Sequence, residues 1–429
     1  MRVETMSSPL LPRALLRNVM WRVSLGGWFE LYDLFMTAYI GLGLMRDKLF
    51  AATTSAPFDA HGFASFVASG FAGMFVGTLV FAWVSDRFGR RFSFTISLLW
   101  YSVATIVMAF SHSDIAINFW RFVAGVGIGV QIITIDTYIT EVSPPEDRGR
   151  WVAFSQLVGY TAIPVVALLA YLLVPREIAG LSGWRIVALV GALGAVAVWP
   201  LRRGLPESPR WLQTRVPRET NERWSDLFAP HLRTRTIAMV IFNVFQTVGF
   251  YGFASWVPIL LAKEGVETIH SLLYVFMIAL ANPAGPYLAM QFADRLERKW
   301  QIVTLALTIA CCGIAFSYAR APLAIMIFGA AVTIANAWFS AVFHAYQAEL
   351  FPTAIRAQAV GFVYAWSRFS SIFVGFAIAA ILLRAGTVGV FIVIGAAMLI
   401  VAAVISLFGP ITNGRPLELL VARSGSEAD

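Results

Sequence analysis

Long apolar runs separated by short charged breaks make up most of this chain. A helix needs roughly 20 apolar residues to cross a bilayer. About twelve runs reach that length, at 21–44, 63–84, 93–111, 115–138, 151–174, 184–201, 236–261, 270–292, 301–319, 321–347, 357–383 and 386–409. The apolar positions within them are continuous, not alternating. This predicts spanning helices and argues against the ten-residue alternating strands of a membrane barrel. The expected fold is an all-α membrane protein of twelve transmembrane helices in two pseudo-symmetric six-helix bundles. The first run follows Arg13, Arg17 and Arg22 and continues for a full span with no Ala-x-Ala site. It reads as helix 1 and not as a cleaved leader.

Composition supports the bilayer. Of 429 residues, 59% are hydrophobic and only 13% charged, about half the charged share of a soluble domain. The net charge of +8 raises nucleic acid as a partner, but the basic residues lie between apolar runs instead of in one aromatic-laced patch. Topology explains them better. With the N-terminus in the cytoplasm, the breaks place 23 Lys and Arg inside and 7 outside. That asymmetry predicts an inner-membrane, multi-pass protein with both ends cytoplasmic. The one long polar connection divides the chain into a six-helix half (1–202), a cytoplasmic linker (203–235) and a second half (236–429). Cys311 and Cys312 are adjacent within an apolar run and read as packing residues.

The chain repeats itself. Gly77-x8-Asp86-Arg87-Phe88-Gly89-Arg90-Arg91 recurs as Gly285-x8-Asp294-Arg295-Leu296-Glu297-Arg298-Lys299, a shift of 208. Glu141-x2-Pro144-x3-Arg148 recurs as Glu349-x2-Pro352-x3-Arg356 at the same shift of 208. Two separate loops sharing one offset imply homologous halves, with a ligand site where they meet near the midplane.

These residues also carry a resemblance. The Gly77 to Arg91 loop resembles the signature between helices 2 and 3 of the major facilitator superfamily. Arg121-x3-Gly125-x-Gly127-x-Gly129, the Tyr138 to Gly149 run and Pro206-Glu207-Ser208-Pro209-Arg210-Trp211 resemble its sugar-porter branch. Glu30-x-Tyr32-Asp33 and the Glu349 to Arg356 run resemble its metabolite:proton symporter branch. The resemblance covers nearly the whole chain and implies secondary transport by alternating access. It also implies a proton-coupling role for the helix 1 aspartate. Glu297 departs from the pattern, standing where the second loop would have glycine, which suggests a looser loop.

Charges inside the spans need partners or water. Asp33 lies 11 residues beyond Arg22, roughly 16 Å deep, and Arg121 lies seven past Asp114, roughly 10 Å from the other face. In a core about 30 Å thick these depths nearly match, so the two are expected to pair across helices 1 and 4. Gly125 and Gly129 on the Arg121 stripe would let those helices approach closely. Two readings stand: a proton-coupling pair that separates and rejoins during rocking, or a static salt bridge. Glu30, one turn from Asp33, either shares the proton or anchors substrate or water. Asp136 lies some 22 Å along the axis from Arg121, too far to pair; a gate contact suits it better.

Arg368 lies 12 residues past Arg356, roughly 18 Å deep. It would clamp a carboxylate or bond neighbouring backbone carbonyls. Tyr364 on its face, His344 and Gln347 on helix 10, Asn243 and Gln246 on helix 7 and Asn282 on helix 8 complete the candidate substrate-binding set. Pro283 and Pro286 predict a kink beside Asn282. His344 reads as a packing residue or a proton carrier. Asp86, Arg90, Glu141, Arg148, Asp294, Glu349 and Arg356 fall on one side at equivalent positions and read as a cytoplasmic gate of ion pairs.

Together these features predict a proton-coupled symporter of a small organic acid, either a monocarboxylate or an aromatic acid. A sugar or polyol symporter is the alternative, then an exporter. A membrane receptor on the same fold and an intramembrane enzyme are the other classes. No metal site or cofactor beyond the proton gradient is expected, and the partners are protons, a small solute and lipid. The chain is expected to work as a monomer.

Overall fold

The computed structural model describes residues 12–56, 58–143, 148–208, 227–292, 295–351 and 356–412. The side chains of Asp86, Asp136, Arg148 and Arg356, and all of Asp294, lie outside this description, as does most of the 203–235 connection.

The first half contains α1 (Arg13–Arg46), α2 (Phe63–Phe88), α3 (Arg90–Ala109), α4 (Asp114–Val142), α5 (Arg148–Tyr160), α6 (Ala162–Leu173) and α7 (Gly183–Arg203). The second contains α8 (Pro230–Ala254), α9 (Val257–Lys263), α10 (Thr268–Ala279), α11 (Ala284–Phe292), α12 (Arg298–Tyr318), α13 (Pro322–Glu349) and α14 (Arg356–Phe408). Twelve spans are present among the described residues. Helices α5 and α6 form one span broken at Thr161, and α10 with α11 form another broken at the predicted Asn282-Pro283 kink. Helix α14 holds two spans joined at Gly386, whose φ of 64° favours a residue without Cβ. A two-residue hairpin, Glu177–Ile178 against Leu181–Ser182, links α6 to α7. Its turn uses positive φ at Ala179 and Gly180.

The glycines decide how tightly α4 is held. A Cβ on Gly73 would stand 2.1 Å from the Phe122 carbonyl oxygen, and one on Gly125 2.3 Å from that of Gly70. The backbones of α2 and α4 therefore touch. This corrects the sequence expectation. The small stripe of α4 packs on α2, because α2 supplies the matching Gly70, Gly73 and Gly77, whereas α1 meets α4 through Asp33 and Thr37 at Arg121 and through an apolar cluster that includes Met20, Val23, Ile135 and Ile139. The second half repeats the device, with Gly285 against the backbone of Ala337 and Trp338.

Between the halves runs a seam of aromatic edges. Phe58 meets Phe376 at 5.0 Å, Phe63 meets Trp256 at 5.4 Å, Phe71 meets Tyr251 at 4.5 Å and Phe75 meets Phe369 at 5.7 Å, centroid to centroid. Each such contact contributes about 0.5–1.5 kcal/mol beyond area burial.

Candidate functional site

Asp33 and Arg121 do meet. Arg121 Nη1 donates to Asp33 Oδ2 at 2.6 Å, and Nη2 donates to the Asp33 carbonyl at 3.1 Å and to Thr37 Oγ1 at 2.5 Å. The other carboxylate oxygen accepts from Thr105 at 2.9 Å. Both residues are buried, at 3% and 1% exposure. Phe66 lies under the guanidinium at 5.7 Å. Three helices thus converge on one ion pair, with both carboxylate oxygens and both terminal guanidinium nitrogens engaged and Arg121 Nε left without a partner among the described residues. Such added hydrogen bonds help a buried pair offset its desolvation.

Arg368 is as deeply buried, at 3% exposure, but has a different environment. It donates to Tyr251 Oη at 2.6 Å and to Tyr364 Oη at 2.7 Å, both neutral phenols. The Tyr364 ring also lies 4.9 Å from its guanidinium carbon. The backbone-carbonyl reading of Arg368 is thus replaced by phenolic partners. The guanidinium lines a cavity of about 110 Å3 between the halves, shared with Glu30, Phe35, Gln156, Tyr160, Gln246 and His344. A cavity on the order of 150 Å3 accommodates a benzene-sized molecule, so this one is somewhat smaller than a ring occupies and suits a small solute only with some opening of its walls. His344 stacks on Phe343 at 4.2 Å and meets the Tyr364 ring edge at 5.1 Å.

Four of the sequence candidates for substrate binding, Arg368, Tyr364, His344 and Gln246, therefore share one cavity with Glu30. The others do not join them. Asn243 and Gln347 hydrogen-bond to each other at 2.7 Å, buried away from the cavity. Asn282 lies in a separate small void with Asn336 and Thr333, beyond the Phe35 and Phe250 rings. Helical spacing on a single span cannot separate a residue facing the cavity from one facing a neighbouring helix. Tyr251, Gln156, Tyr160 and Thr105 escaped the sequence reading. Tyr251 sits five residues after Gln246, about 140° round the helix from it at 3.6 residues per turn, so helical spacing gave no signal for it.

At the basic end, ion pairs form within each half. Arg90 Nη2 lies 3.4 Å from Glu141 Oε1, and Arg298 Nη1 lies 3.0 Å from Glu349 Oε1. These two pairs are related by the same shift of 208. They join the start of α3 to the end of α4, and the start of α12 to the end of α13. Glu207 accepts from the backbone N–H of Arg90 and Arg91, at 3.0 and 3.2 Å, and so caps α3 from another part of the chain. Glu297 occupies the matching end of α12, accepting from Lys299 N at 3.4 Å and Thr412 N at 3.0 Å. The expected loosening is therefore reversed: Glu297 supplies in place the cap that Gly89 lacks and Glu207 brings in. Tyr138 donates to the Pro206 carbonyl at 2.8 Å, and Tyr346, 208 residues later, to that of Pro410 at 2.9 Å.

Known proteins share this architecture. The chain is 29% identical over 438 residues to the niacin transporter NiaP of Acinetobacter baylyi, covering 94% of this chain and 95% of that one. It is 28% identical over 392 residues to the inner membrane metabolite transport protein YdjE of Escherichia coli, covering 83% and 86%. Among solved structures, the Escherichia coli xylose transporter XylE in a partially occluded inward-open conformation matches with a TM-score of 0.78 at 21% identity. That match covers 94% of this chain and 100% of XylE, and it is a likeness of fold. The sequence model of the Major Facilitator Superfamily matches residues 23–322 and 267–424, so that both halves are included. With its twelve spans, its 208-residue repeat and its cavity on the seam, the chain belongs to the Major Facilitator Superfamily and is a transporter, not an enzyme.

Proposed function

We propose that this transporter moves a small aromatic monocarboxylate together with protons. The observation that carries the reading is Arg368: a buried guanidinium on an aromatic-walled cavity, its hydrogen bonds among the described residues going to two phenols. A carboxylate is a stronger partner for it than a phenol, and the geometry of a guanidinium matches one bidentately. Phe35, Tyr160, Phe250 and Phe343 wall the same cavity and suit a ring. Niacin, named for the relative NiaP, is an acid of this class.

Asp33 carries the proton in this reading. When the halves rock, Arg121 withdraws, Asp33 is left buried without its cation and takes a proton; when they rejoin, it releases it. Glu30, on the cavity wall, meets the solute or shares the proton. The Arg90–Glu141 and Arg298–Glu349 pairs hold the basic end of each half as a rigid unit during that motion. The protein acts as a monomer in the inner membrane, with both termini in the cytoplasm. A sugar or polyol is the second reading, favoured by the amides and hydroxyls of Gln156, Gln246 and Ser340 in the cavity.

The test is external pH in proteoliposomes given nicotinate, benzoate or xylose. Alkalinisation with the acids, lost in Arg368→Gln, is expected. A response to xylose that Arg368→Gln retains would move the assignment to the sugar reading.

A further inference from the structure

The ion pair and the cavity are neighbours, but they do not touch. Between them lies a void of about 10 Å3 lined by Thr37, Gly70, Arg121, Tyr251 and Ser255, about the space that one water needs. Arg121 Nε is buried beside it and has no hydrogen-bond partner among the described residues. The other two nitrogens of that guanidinium are committed to Asp33 and Thr37. Gly70 helps make the room: a Cβ there would stand 3.1 Å from Nε. Tyr251 lines both this void and the main cavity. Its ring rests on Phe71 at 4.5 Å, and its hydroxyl accepts from Arg368 at 2.6 Å.

We propose that Tyr251 is the coupling residue, its hydroxyl held by Arg368 until an anion takes that guanidinium and then turning to Arg121 Nε in the space Gly70 leaves. The proposal rests on the reading of Asp33 as proton acceptor. A substrate carboxylate outcompetes a phenol for Arg368. The freed hydroxyl oxygen accepts from Arg121 Nε, the one nitrogen not committed to Asp33 or Thr37, and this added partner shares the guanidinium and weakens its hold on Asp33 Oδ2. Asp33 then binds one proton from water and becomes a neutral carboxylic acid; no electron is transferred. By linkage, a protonated Asp33 tightens anion binding by the same factor. The charged groups around Asp33 are Arg121 from α4, Glu30 on α1 itself and, across the cavity, Arg368 from α14. Tyr32 on α1 and Tyr251 on α8 are the nearby phenols. Helix α3 presents Thr105, α2 presents Phe66 and Gly70, and α7 meets α1 through the Val187 carbonyl.

The link can be read without substrate, because Arg368→Gln removes the group that holds Tyr251. The readout is the infrared carbonyl band of protonated Asp33 in the full-length protein at fixed pH, assigned by its loss in Asp33→Asn. Arg368→Gln is expected to raise the protonated-to-ionised ratio about tenfold. In Arg368→Gln/Tyr251→Phe, and in Arg368→Gln/Gly70→Ala, whose methyl fills the void, the ratio should return to the wild-type value. No rise in Arg368→Gln overturns the proposal. A rise that persists without the Tyr251 hydroxyl also overturns it, since loss of a nearby positive charge would then suffice. Should Gly70→Ala fold poorly, the Tyr251→Phe arm decides alone. An Asp33 band absent at every pH in every variant refutes the proton reading beneath the proposal. Failure of nicotinate to move protons while the band behaves as expected refutes only the substrate.

Discussion

Among the described residues, two arginines are buried near the midplane, and one of them has a direct carboxylate partner. Arg121 is paired with Asp33 and wedged between glycine-lined helices whose backbones touch. Arg368 rests on two phenols beside a cavity, on a helix where Gly361 has nothing within 4 Å of an added Cβ. Equal burial therefore serves different ends. The first site is closed, and its charge is matched within the fold by Asp33. The second places its cation beside open space, with two phenols and the charge of Glu30 around it, which suits the incoming anion proposed above.

The largest expected effect is on the balanced site. Arg121→Met leaves Asp33 buried without a cation and should destabilise the protein by about 3–5 kcal/mol, seen as a large drop in Tm. Adding Asp33→Asn should recover much of that loss, and no recovery would mean that Arg121 acts mainly through packing. Arg368→Gln breaks no direct ion pair, though it removes a positive charge that acts on buried Glu30, so its Tm should fall less than that of Arg121→Met. Its binding of nicotinate should instead weaken by about 1.5–3 kcal/mol, roughly 10- to 100-fold. Equal Tm losses in the two arginine variants would break the comparison. The glycines sharpen it further. Gly73→Ala, aimed at the Phe122 carbonyl, should cost about 1–3 kcal/mol, while Gly361→Ala should be neutral or stabilise by about 0.5–1 kcal/mol. Chemical denaturation of the pair reads the difference.

The smallest effect lies outside the bilayer. Burial raises the proton affinity of Asp47, but hydrogen bonds from Ser182 and Trp184 and the charge of Arg46 outweigh it and hold the carboxyl below the usual aspartate value. Trp184 Nε1 donates to Asp47 Oδ2 at 2.7 Å. A lowered folded value means that this contribution is fully present above about pH 3.9 and is lost as pH falls through the lower folded value. Asp47→Asn should therefore flatten a small acid-side decline in Tm. A decline of unchanged slope would assign it to other carboxylates.

The spans and the repeat could be read from the sequence because hydropathy and a fixed offset act along the chain. Depth could be read for the same reason: 1.5 Å per residue was enough to bring Asp33 and Arg121 level. What could not be read is which neighbour each helix face meets. Gly125 and Gly129 were matched to α1 when α2 carries the complementary glycines. Asn243 and Gln347, candidate solute ligands, instead bond each other, with Asn243 Oδ1 and Gln347 Nε2 left without a partner among the described residues. Tyr251 is an aromatic in an aromatic-rich span, and only its 2.6 Å contact with Arg368 sets it apart. Glu297 was read as a defect because its role depends on Thr412, 115 residues away.

The recurrence at 208 extends beyond side-chain identity to individual hydrogen bonds. Tyr138 and Tyr346 each anchor the segment that leaves their half's last span, through the carbonyls of Pro206 and Pro410. The donors are 208 residues apart and the acceptors 204, so the two halves keep the bond with its acceptor shifted by four residues. Each half can therefore serve as the matched control for the other. Tyr138→Phe and Tyr346→Phe remove the same bond from the same scaffold, and any difference between them measures what specialisation has added since the copies parted.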